Sequence, residues 1–387
     1  PLFVMLAAEL TRWTGADERT AALLPAVDRA LDWAGRYGDL DGDGFVEYLR
    51  RDQNGLEHQG WKDSWDGIRH LDGEVAAPPI ALCEVQAYQY AALRGRAQLA
   101  RAHGERSEVV RAFEERAAAL RERFDAAFWL DDLGWYAVGL DRDKQPIRSL
   151  TSNIGHLLWT GIVPEARARR LAELLVGDDL FSGWGVRTLA ASAAGFNPLS
   201  YHCGSVWPHD TAISIAGLAR YGCDDEAQRI SRGLLETASF SGGRLPELFG
   251  GFDRADVAVP VPYPASCSPQ AWAAAAPLLV VRAMLGLEPD VPARRVTLRP
   301  RIPDEFGPVS LFDLPLGDAV VDIEAIGDQG SIDVKQGQDV KAGEKLAVVE
   351  AMKMENILRA ERDGTVQIIH AEAGANLAVD AVIMEFE

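Results

Sequence analysis

IALCEVQAYQYAALRGRAQLARAHG, residues 80–104, decides the fold class of most of this chain of 387 residues. Its apolar side chains recur at the spacing of one helix face, and Gly104 stands where a helix C-cap is preferred. The stretch TAALLPAVDRALDWAGRYG at 20–38 has the same spacing, with Leu24, Val27 and Leu31 on one face. Helical periodicity therefore dominates the sequence as far as about residue 290.

Further stretches with this periodicity predict a series of helices before residue 290. They cover residues 3–13, 106–127, 150–160, 164–175, 207–221, 225–238 and 269–286. Many helices joined by loops rich in Gly, Pro and aromatic residues suggest antiparallel pairs in a mainly α fold, an (α/α)6 toroid with its active site on the loops at one end. Because six pairs are needed to close such a toroid, we expect it to be incomplete, with its first helices missing before Pro1.

Charge and composition exclude several classes of partner. The net charge of −19 at pH 7 argues against binding a nucleic-acid phosphate backbone. No apolar run reaches the roughly 18 residues of a membrane span, so no membrane partner is expected. The four cysteines are scattered without metal-ligand spacing, which is typical of reduced thiols in a cytoplasmic protein.

After residue 290 the helical periodicity ends, and alternating apolar and β-branched residues typical of strands replace it. We predict a helical domain over 1–290, a short β segment and junction over 291–327, and a small all-β domain over 328–387. The last contains an internal repeat, because GQDVKAGEKLAVVE from Gly337 matches GANLAVDAVIMEFE from Gly374. Two similar halves around a central hairpin predict a pseudo-twofold β-sandwich.

Between the two halves of this repeat lies EAMKMEN, residues 350–356. The run resembles the acceptor turn of biotinyl domains, and the tail resembles the C-terminus of biotin-carrying subunits of acyl-CoA carboxylases such as propionyl-CoA carboxylase. The resemblance implies covalent biotin on Lys353, flanked by Met352 and Met354, with biotin protein ligase and carboxylase subunits as partners. The alternative is a surface lysine between core methionines. Relatives begin with a strand containing Pro-Met-Pro-Gly; AIGDQGSIDV stands here instead, so we expect the first strand to be missing.

Two loops of the helical region carry carboxylates where solubility does not require them. They are HQGWKDSWDGI at 58–68 and GGRLPELFGGF at 242–252. Glycoside hydrolysis needs one protonated carboxyl to donate to the leaving oxygen and one ionised carboxylate to activate water or attack. Tryptophans beside such groups can stack on the apolar faces of sugar rings.

A specific resemblance covers residues 1–324. PLFVMLAAELTRWTG, GDLDGDGFVEY, GWKDSWDGI, APPIALCEVQAYQYAA, YHCGSVWPHDTAI, RLPELFGGF and CSPQAWAAAAP occur in this order. They resemble the catalytic region of the glycogen-debranching amylo-α-1,6-glucosidase family. The resemblance implies Asp66 as general acid, Glu247 as general base and an inverting mechanism with carboxyls about 6.5–9.5 Å apart. Asp63 is an alternative acid, either aspartate could instead cap a helix, and Glu247 could be an ordinary loop carboxylate.

The same motifs supply candidate residues for binding an α-glucan or oligosaccharide with α-1,6 branches. They are Trp61, Asp63, Trp65, Glu84, Gln86, Tyr201, His202, Trp207, His209, Asp210 and Phe249. Tyr201 and Trp207 could equally belong to the core. Glu84 and Gln86 could only satisfy buried neighbours, because they interrupt an otherwise apolar helix.

The segment DLDGDGFVE resembles the start of a calcium loop, with Asp39, Asp41 and Asp43 alternating before a glycine. The position that should hold a bidentate glutamate is Arg50, for which Glu47 could substitute. A tight turn rich in Asp and Gly is the favoured interpretation, and no catalytic metal is expected.

Three hypotheses follow from the sequence. The first is a glycoside hydrolase-like protein fused to a biotin-accepting domain. The second is a biotin carboxyl carrier component of an acyl-CoA carboxylase, with the helical region as a scaffold. The third is a junction near 325–330 between two incomplete domains that have no dependable activity.

Overall fold

The computed structural model describes residues 1–336, 339–343, 345–351, 354–369 and 384–386. Its backbone contacts divide the chain into two units. The first, which we call the helical unit, comprises Pro1–Thr11 and Ala16–Leu287, and the second, the β unit, comprises Arg12–Gly15 and Glu288–Glu387.

The helices predicted from apolar periodicity are confirmed, with ends that differ by a few residues. They are α1 (Leu2–Thr14), α2 (Glu18–Ala21), α3 (Leu24–Trp33), α4 (Cys83–Ala102), α5 (Ser107–Phe128), α6 (Asn153–Thr160), α7 (Glu165–Leu175), α8 (Pro208–Arg220), α9 (Asp224–Phe240) and α10 (Ala271–Leu285). Gly104 follows α4 with a φ of 67°, as its predicted place at the helix C-terminus requires. Within the part of the chain that the structure describes, no helix is both long and apolar enough to cross a membrane.

Two layers of helices make up most of the helical unit. Helices α4, α6 and α8 are buried over most of their surface, whereas α5, α7 and α9 each bury one stripe and expose a charged face. Each inner helix packs against the outer helix that follows it, and α6 also contacts both α4 and α8. This alternation of inner and outer helices is the arrangement expected of a toroid, while the count of pairs and the incomplete state of the toroid stay predictions.

The inner helices α6 and α8 approach one another closely because both carry glycine at the contact. A Cβ atom on Gly155 would lie 2.0 Å from the Ser214 hydroxyl, and one on Gly217 would lie 2.7 Å from the Trp159 backbone nitrogen. Neither position can hold a larger side chain without moving a helix. The glycines therefore fix the spacing of the two helices whose ends carry several site residues.

Short antiparallel pairs brace the loops of the helical unit. β1 (Ala81–Leu82) pairs with β4 (Gly139–Leu140), and β2 (Trp129–Leu130) pairs with β3 (Trp135–Tyr136). Val206 and Phe249 exchange backbone hydrogen bonds of 2.9 and 3.0 Å. This exchange joins the loop before α8 to the loop that follows α9.

The β unit is antiparallel throughout its described strands. They are β5 (Glu288–Asp290), β6 (Arg295–Thr297), β7 (Val309–Leu316), β8 (Ala319–Ile326), β9 (Gln329–Gln336), β10 (Asp339–Val340), β11 (Lys345–Ala351), β12 (Met354–Arg359), β13 (Gly364–Ile369) and β14 (Met384–Phe386). Strand orders are β5-β6, β7-β8-β9, β10-β13-β14 and β11-β12. The predicted alternation after residue 290 is confirmed as strand.

The segment predicted as a junction is a regular hairpin. β8 pairs with β9 from Ile326 opposite Gln329, with Gly327 at a φ of 59° in the two-residue turn between them. A two-residue hairpin turn favours glycine because its backbone needs positive φ. The strand pairing therefore runs continuously across the predicted domain boundary at 327 and 328.

Candidate active site

Glu247 lies in the loop after α9 and is almost fully buried, with 4% of its surface exposed. Its carboxylate accepts hydrogen bonds from the Tyr201 hydroxyl at 2.8 Å, the Cys267 backbone N–H at 2.9 Å and the Gln270 amide at 3.4 Å. The three donors come from separate segments of the chain. Glu247 is therefore held in one orientation by its surroundings and not by its own loop alone.

These donors also determine the charge of Glu247. Burial raises the pKa of the carboxyl, but the hydrogen bonds from Cys267, Tyr201 and Gln270 outweigh burial and bring the pKa below its usual value. Hydrogen bonds donated to a carboxylate stabilise its ionised form. Glu247 is thus an ionised, oriented carboxylate at neutral pH, as a general base must be.

The loop from Trp61 to Asp66 alternates between buried and exposed side chains. Lys62 is fully buried and donates a hydrogen bond of 2.5 Å from Nζ to the Thr188 carbonyl oxygen. Trp61 is half-buried, and Asp63 is exposed. The buried lysine anchors the loop, so that the next residue, Asp63, projects to solvent.

Asp66 occupies a different environment from Asp63. Its carboxylate pairs with Arg69 at 3.4 Å, and its backbone oxygen accepts a contact of 3.1 Å from the Cys203 thiol. The Arg69 guanidinium also lies 6.0 Å from the centre of the Trp65 ring, which is 69% exposed. Asp66 is therefore partnered by a cation, whereas Asp63 is exposed beside the aromatic cluster described next.

An aromatic cluster connects the two loops. The Trp61 ring contacts four other rings, with centroid distances of 5.1–6.0 Å; they belong to His156, His202, Trp207 and His209. Trp207 in turn lies 4.8 Å from the Tyr201 ring. Burial lowers the pKa of His202 to about 3 and that of His209 to about 4, so both imidazoles are neutral at pH 7.

Tyr201 joins the aromatic cluster to the carboxylate of Glu247. Burial, followed by its hydrogen bond to the carboxylate of Glu247 and by the charges of Glu247 and Asp63, raises the pKa of Tyr201 above its usual value. The phenol consequently keeps its proton and remains a donor to Glu247.

A chain of buried polar groups lies behind Trp61. The Tyr88 hydroxyl contacts Nδ1 of His156 at 2.5 Å, and Nε2 of His156 contacts the Asp210 carboxylate at 2.7 Å. Burial raises the pKa of Asp210, but His156 and then Lys62 outweigh it and leave that pKa below its usual value. Asp210 is fully buried, so the structure places this predicted substrate residue beneath the aromatic cluster.

Three further predicted substrate residues are also buried. Glu84 accepts a hydrogen bond of 2.9 Å from the Asn153 amide. Gln86 bonds the Val46 backbone N–H and donates to the Val46 and Leu82 carbonyl oxygens. Phe249 packs against Trp184 and Val206 in the core. Gln86 and Phe249 are thus engaged by protein groups, whereas Glu84 keeps one buried carboxylate oxygen, Oε1, without a hydrogen-bond partner among the described residues.

The acidic loop forms a compact cluster around a lysine. Carboxylate oxygens of Asp39, Asp41 and Asp43 lie within 4.8 Å of one another. The Lys144 ammonium lies 2.8 Å from both Asp41 and Asp43 and also pairs with Glu47. An internal cation therefore pairs with three of the four carboxylates proposed for calcium, as the tight-turn interpretation permits.

In the sequence, the residues predicted to carry biotin stand between β11 and β12 or at the first residue of β12. These strands pair antiparallel, with Ala351 opposite Met354. Met352 and Lys353 lie outside the described residues, and of Met354 the structure describes the backbone.

Sequence reasoning missed five residues of this site. Cys267, Gln270 and Trp272 lie in the motif CSPQAWAAAAP, which supported the family resemblance without a role for any member. Tyr88 and His156 lie on inner helices, where polar residues in an apolar run are the signal of a buried hydrogen-bond chain. Their pairing crosses 68 positions of sequence, which no local pattern reveals.

Layered helices with carboxylates on their connecting loops define a helical glycoside hydrolase domain. Residues 1–249 match the model of the mannosylglycerate hydrolase MGH1-like glycoside hydrolase domain. The chain therefore belongs to the MGH1-like glycoside hydrolase family.

Solved structures support the same fold. A GH63 mannosylglycerate hydrolase from Thermus thermophilus is 18% identical with a TM-score of 0.53, covering 72% of this chain and 75% of that one. A sialidase structure is 13% identical with a TM-score of 0.66 over 86% of this chain. This chain spans 31% of the sialidase chain, so the likeness concerns the fold alone.

Residues 319–386 match the model of biotin-requiring enzymes, which shows a biotinyl or lipoyl domain. The propionyl-CoA carboxylase alpha chain of Ruegeria pomeroyi is 62% identical over 56 residues, and the human mitochondrial alpha chain is 37% identical over 57. These matches cover 14% and 15% of this chain and 8% of each carboxylase chain. A biotinyl domain implies covalent biotin on a lysine.

Proposed function

We propose that the helical unit hydrolyses an α-glycosidic bond, that of an α-glucoside or of mannosylglycerate, with inversion, and that Glu247 is the general base. The observation that carries the proposal is the set of hydrogen bonds from Tyr201, Cys267 and Gln270, which keeps Glu247 ionised and oriented. An inverting enzyme needs such a carboxylate to activate the attacking water. Substrate is expected to bind over the aromatic cluster around Trp61.

The general acid comes from the loop 61–66, and the sequence offers two candidates there. The resemblance to debranching enzymes favours Asp66, whose carboxylate is already paired with Arg69 at 3.4 Å. The exposure of its side chain favours Asp63, because a proton donor must reach the leaving oxygen of a bound substrate. We therefore propose Asp63 as the acid and give Asp66 a positioning role through Arg69.

Two substrate classes follow from the relatives. The resemblance to debranching enzymes suggests the α-1,6 branches of an α-glucan as substrate. The match to the MGH1-like hydrolase family suggests mannosylglycerate. The neutral histidines of the aromatic cluster favour an uncharged glycone in either case.

The test is hydrolysis of isomaltose, a branched limit dextrin and mannosylglycerate by wild type, Asp63→Asn, Asp66→Asn and Glu247→Gln. We expect Asp63→Asn and Glu247→Gln to lose about 10²–10⁴-fold in kcat, as removal of a general acid or base does. Asp66→Asn should retain most of its activity. A large loss in Asp66→Asn with an active Asp63→Asn would reverse the assignment of the acid, and an inactive wild type on all three substrates would reject the function.

We propose in addition that Lys353 is the biotin acceptor, so that the chain is a hydrolase carrying a biotinyl arm. The sequence places Met352 and Lys353 between the paired ends of β11 and β12, and the match to carboxylase alpha chains covers this region. Intact mass after incubation with biotin protein ligase, ATP and biotin tests the proposal. The biotin-sized increase should disappear in Lys353→Ala and persist in the control Lys345→Ala; an increase that survives in Lys353→Ala would contradict it.

The carboxyl carrier hypothesis predicts a further activity of the biotinylated chain. Biotin carboxylase with ATP and bicarbonate should carboxylate the arm, which labelled bicarbonate detects as acid-labile label on the protein. Hydrolysis that is lost in Glu247→Gln together with label on wild type would support both functions in one chain. Label on the protein without any hydrolysis would favour the carrier hypothesis. The absence of both label and hydrolysis would favour the hypothesis of two joined domains without activity.

A further inference from the structure

Trp272 is an exposed aromatic residue two positions after Gln270, which bonds the candidate base. It is the second residue of α10 and is 40% exposed. Gln270, two residues earlier, donates its amide to Glu247 at 3.4 Å and accepts the Ala271 backbone N–H at 2.8 Å. The start of α10 is thus fastened to the base, and Trp272 is held close to it.

The Trp272 ring is supported on one face. The His209 imidazole lies parallel to it, with a centroid distance of 4.1 Å and an interplanar angle of 4°. Trp207 meets it edge-on at 5.8 Å and 84°. His209 and Trp207 are themselves buried, with 8% and 1% of their surfaces exposed. Because one face is covered by His209, the exposed area of Trp272 lies on its other face and rim.

The support is rigid and uncharged. The Trp207 indole N–H donates to the Tyr201 carbonyl oxygen at 2.8 Å, which fixes the ring that meets Trp272 edge-on. His209 is neutral at pH 7 because burial lowers its pKa to about 4. An aromatic ring held by packing loses little conformational freedom when a ligand stacks on it.

We propose that the free face of Trp272 stacks on an uncharged pyranose unit of the substrate and helps to select it. The axial C–H groups of a pyranose give it an apolar face that packs on an indole ring. The ionised Glu247, to which Gln270 at the start of α10 donates, disfavours an anionic ring such as a uronic acid. The inference rests on the proposed function, because it assigns a contact for the same substrate.

The experiment measures sugar binding directly as well as turnover. D-glucose, D-mannose, isomaltose and D-glucuronate are titrated into wild type, Trp272→Ala and Trp272→Tyr by calorimetry. Trp33→Ala is the control, because Trp33 is also exposed and its ring contact is with Tyr37 on its own segment. Denaturation midpoints identify any variant that fails to fold, and Trp272→Tyr keeps an aromatic ring if Trp272→Ala is unstable.

We expect Trp272→Ala to weaken binding of at least one neutral sugar and raise KM about tenfold, with kcat changed less than twofold. Trp272→Tyr should lie between Trp272→Ala and wild type, the control should match wild type, and glucuronate should bind wild type more weakly than glucose. Unchanged affinity and KM in a folded Trp272→Ala would overturn the inference while leaving the hydrolase intact. A wild type that neither binds these sugars nor hydrolyses the substrate panel would overturn both proposals.

Discussion

Replacing Tyr201 by phenylalanine should shift the pH dependence of catalysis. The change removes the hydroxyl that donates to Glu247 at 2.8 Å, while the ring keeps its contacts with His202 at 4.6 Å and Trp207 at 4.8 Å. A hydrogen bond to a charged group contributes about 1.5–3 kcal/mol, and one pKa unit corresponds to about 1.4 kcal/mol. Because Cys267 and Gln270 still donate to the carboxylate, we expect the Glu247 pKa to rise by about one unit.

The sign of the effect follows from the state that Glu247 must have. Activity requires the ionised carboxylate, so it is present above the pKa and is lost as pH falls through it. The hydrogen bond from Tyr201 lowers this pKa, so that removing it moves the loss of activity to higher pH. Profiles of kcat/KM against pH report the pKa of the free enzyme. Tyr201→Phe should lose up to about tenfold at acidic pH and much less at pH 7.

The control is Tyr263→Phe, since Tyr263 contacts the Tyr201 ring at 5.8 Å. Its acid limb should coincide with that of wild type. An unshifted acid limb in Tyr201→Phe, with activity reduced equally at every pH, would mean that Tyr201 only packs against the site. The argument that hydrogen bonds from neighbouring loops keep Glu247 ionised would then be refuted.

Two predictions concern stability and are measured by urea denaturation followed by tryptophan fluorescence. Lys144→Met should reduce the free energy of unfolding by about 1.5–3 kcal/mol, because Glu47 becomes a buried carboxylate without its cation; an unchanged midpoint would show that the acidic cluster is solvated. Gly155→Ala should cost about 3 kcal/mol, since its Cβ would overlap Ser214 on α8. Gly35→Ala, with open space around its Cβ position, is the matched control and should not destabilise; equal effects of the two substitutions would contradict the close helix contact.

The helices could be predicted because their apolar spacing is a local property of the sequence. Residues 80–104 specify α4 and its terminal glycine without reference to any other segment. Contacts between helices depend on how the helices pack, and the spacing of apolar residues within one helix does not specify that packing. The close approach of α6 and α8 depends on Gly155 and Gly217 facing each other. In the sequence, each glycine alone indicates only a residue that destabilises a helix.

In the candidate site, too, local features could be predicted from the sequence and contacts between segments could not. The two carboxylate loops stand out in the sequence because acids lie there among glycines and aromatic residues. What the sequence could not indicate is which polar residues are turned inward. Gln86 bonds backbone groups of Val46, one carboxylate oxygen of Asp210 bonds His156, and Lys144 reaches carboxylates about a hundred positions away. Trp272, placed near Glu247 by the packing of α10, carried no distinguishing local pattern.

The most direct test of the central claim is the configuration of the first product. Proton NMR during hydrolysis of isomaltose by wild type, with Glu247→Gln in parallel, distinguishes the two anomers before they equilibrate. An inverting hydrolase with Glu247 as base should release β-glucose first from the α-linked unit, and Glu247→Gln should release about 10²–10⁴-fold less. α-Glucose as the first product, or undiminished release by Glu247→Gln, would contradict the assignment of Glu247 as the base of an inverting glycoside hydrolase.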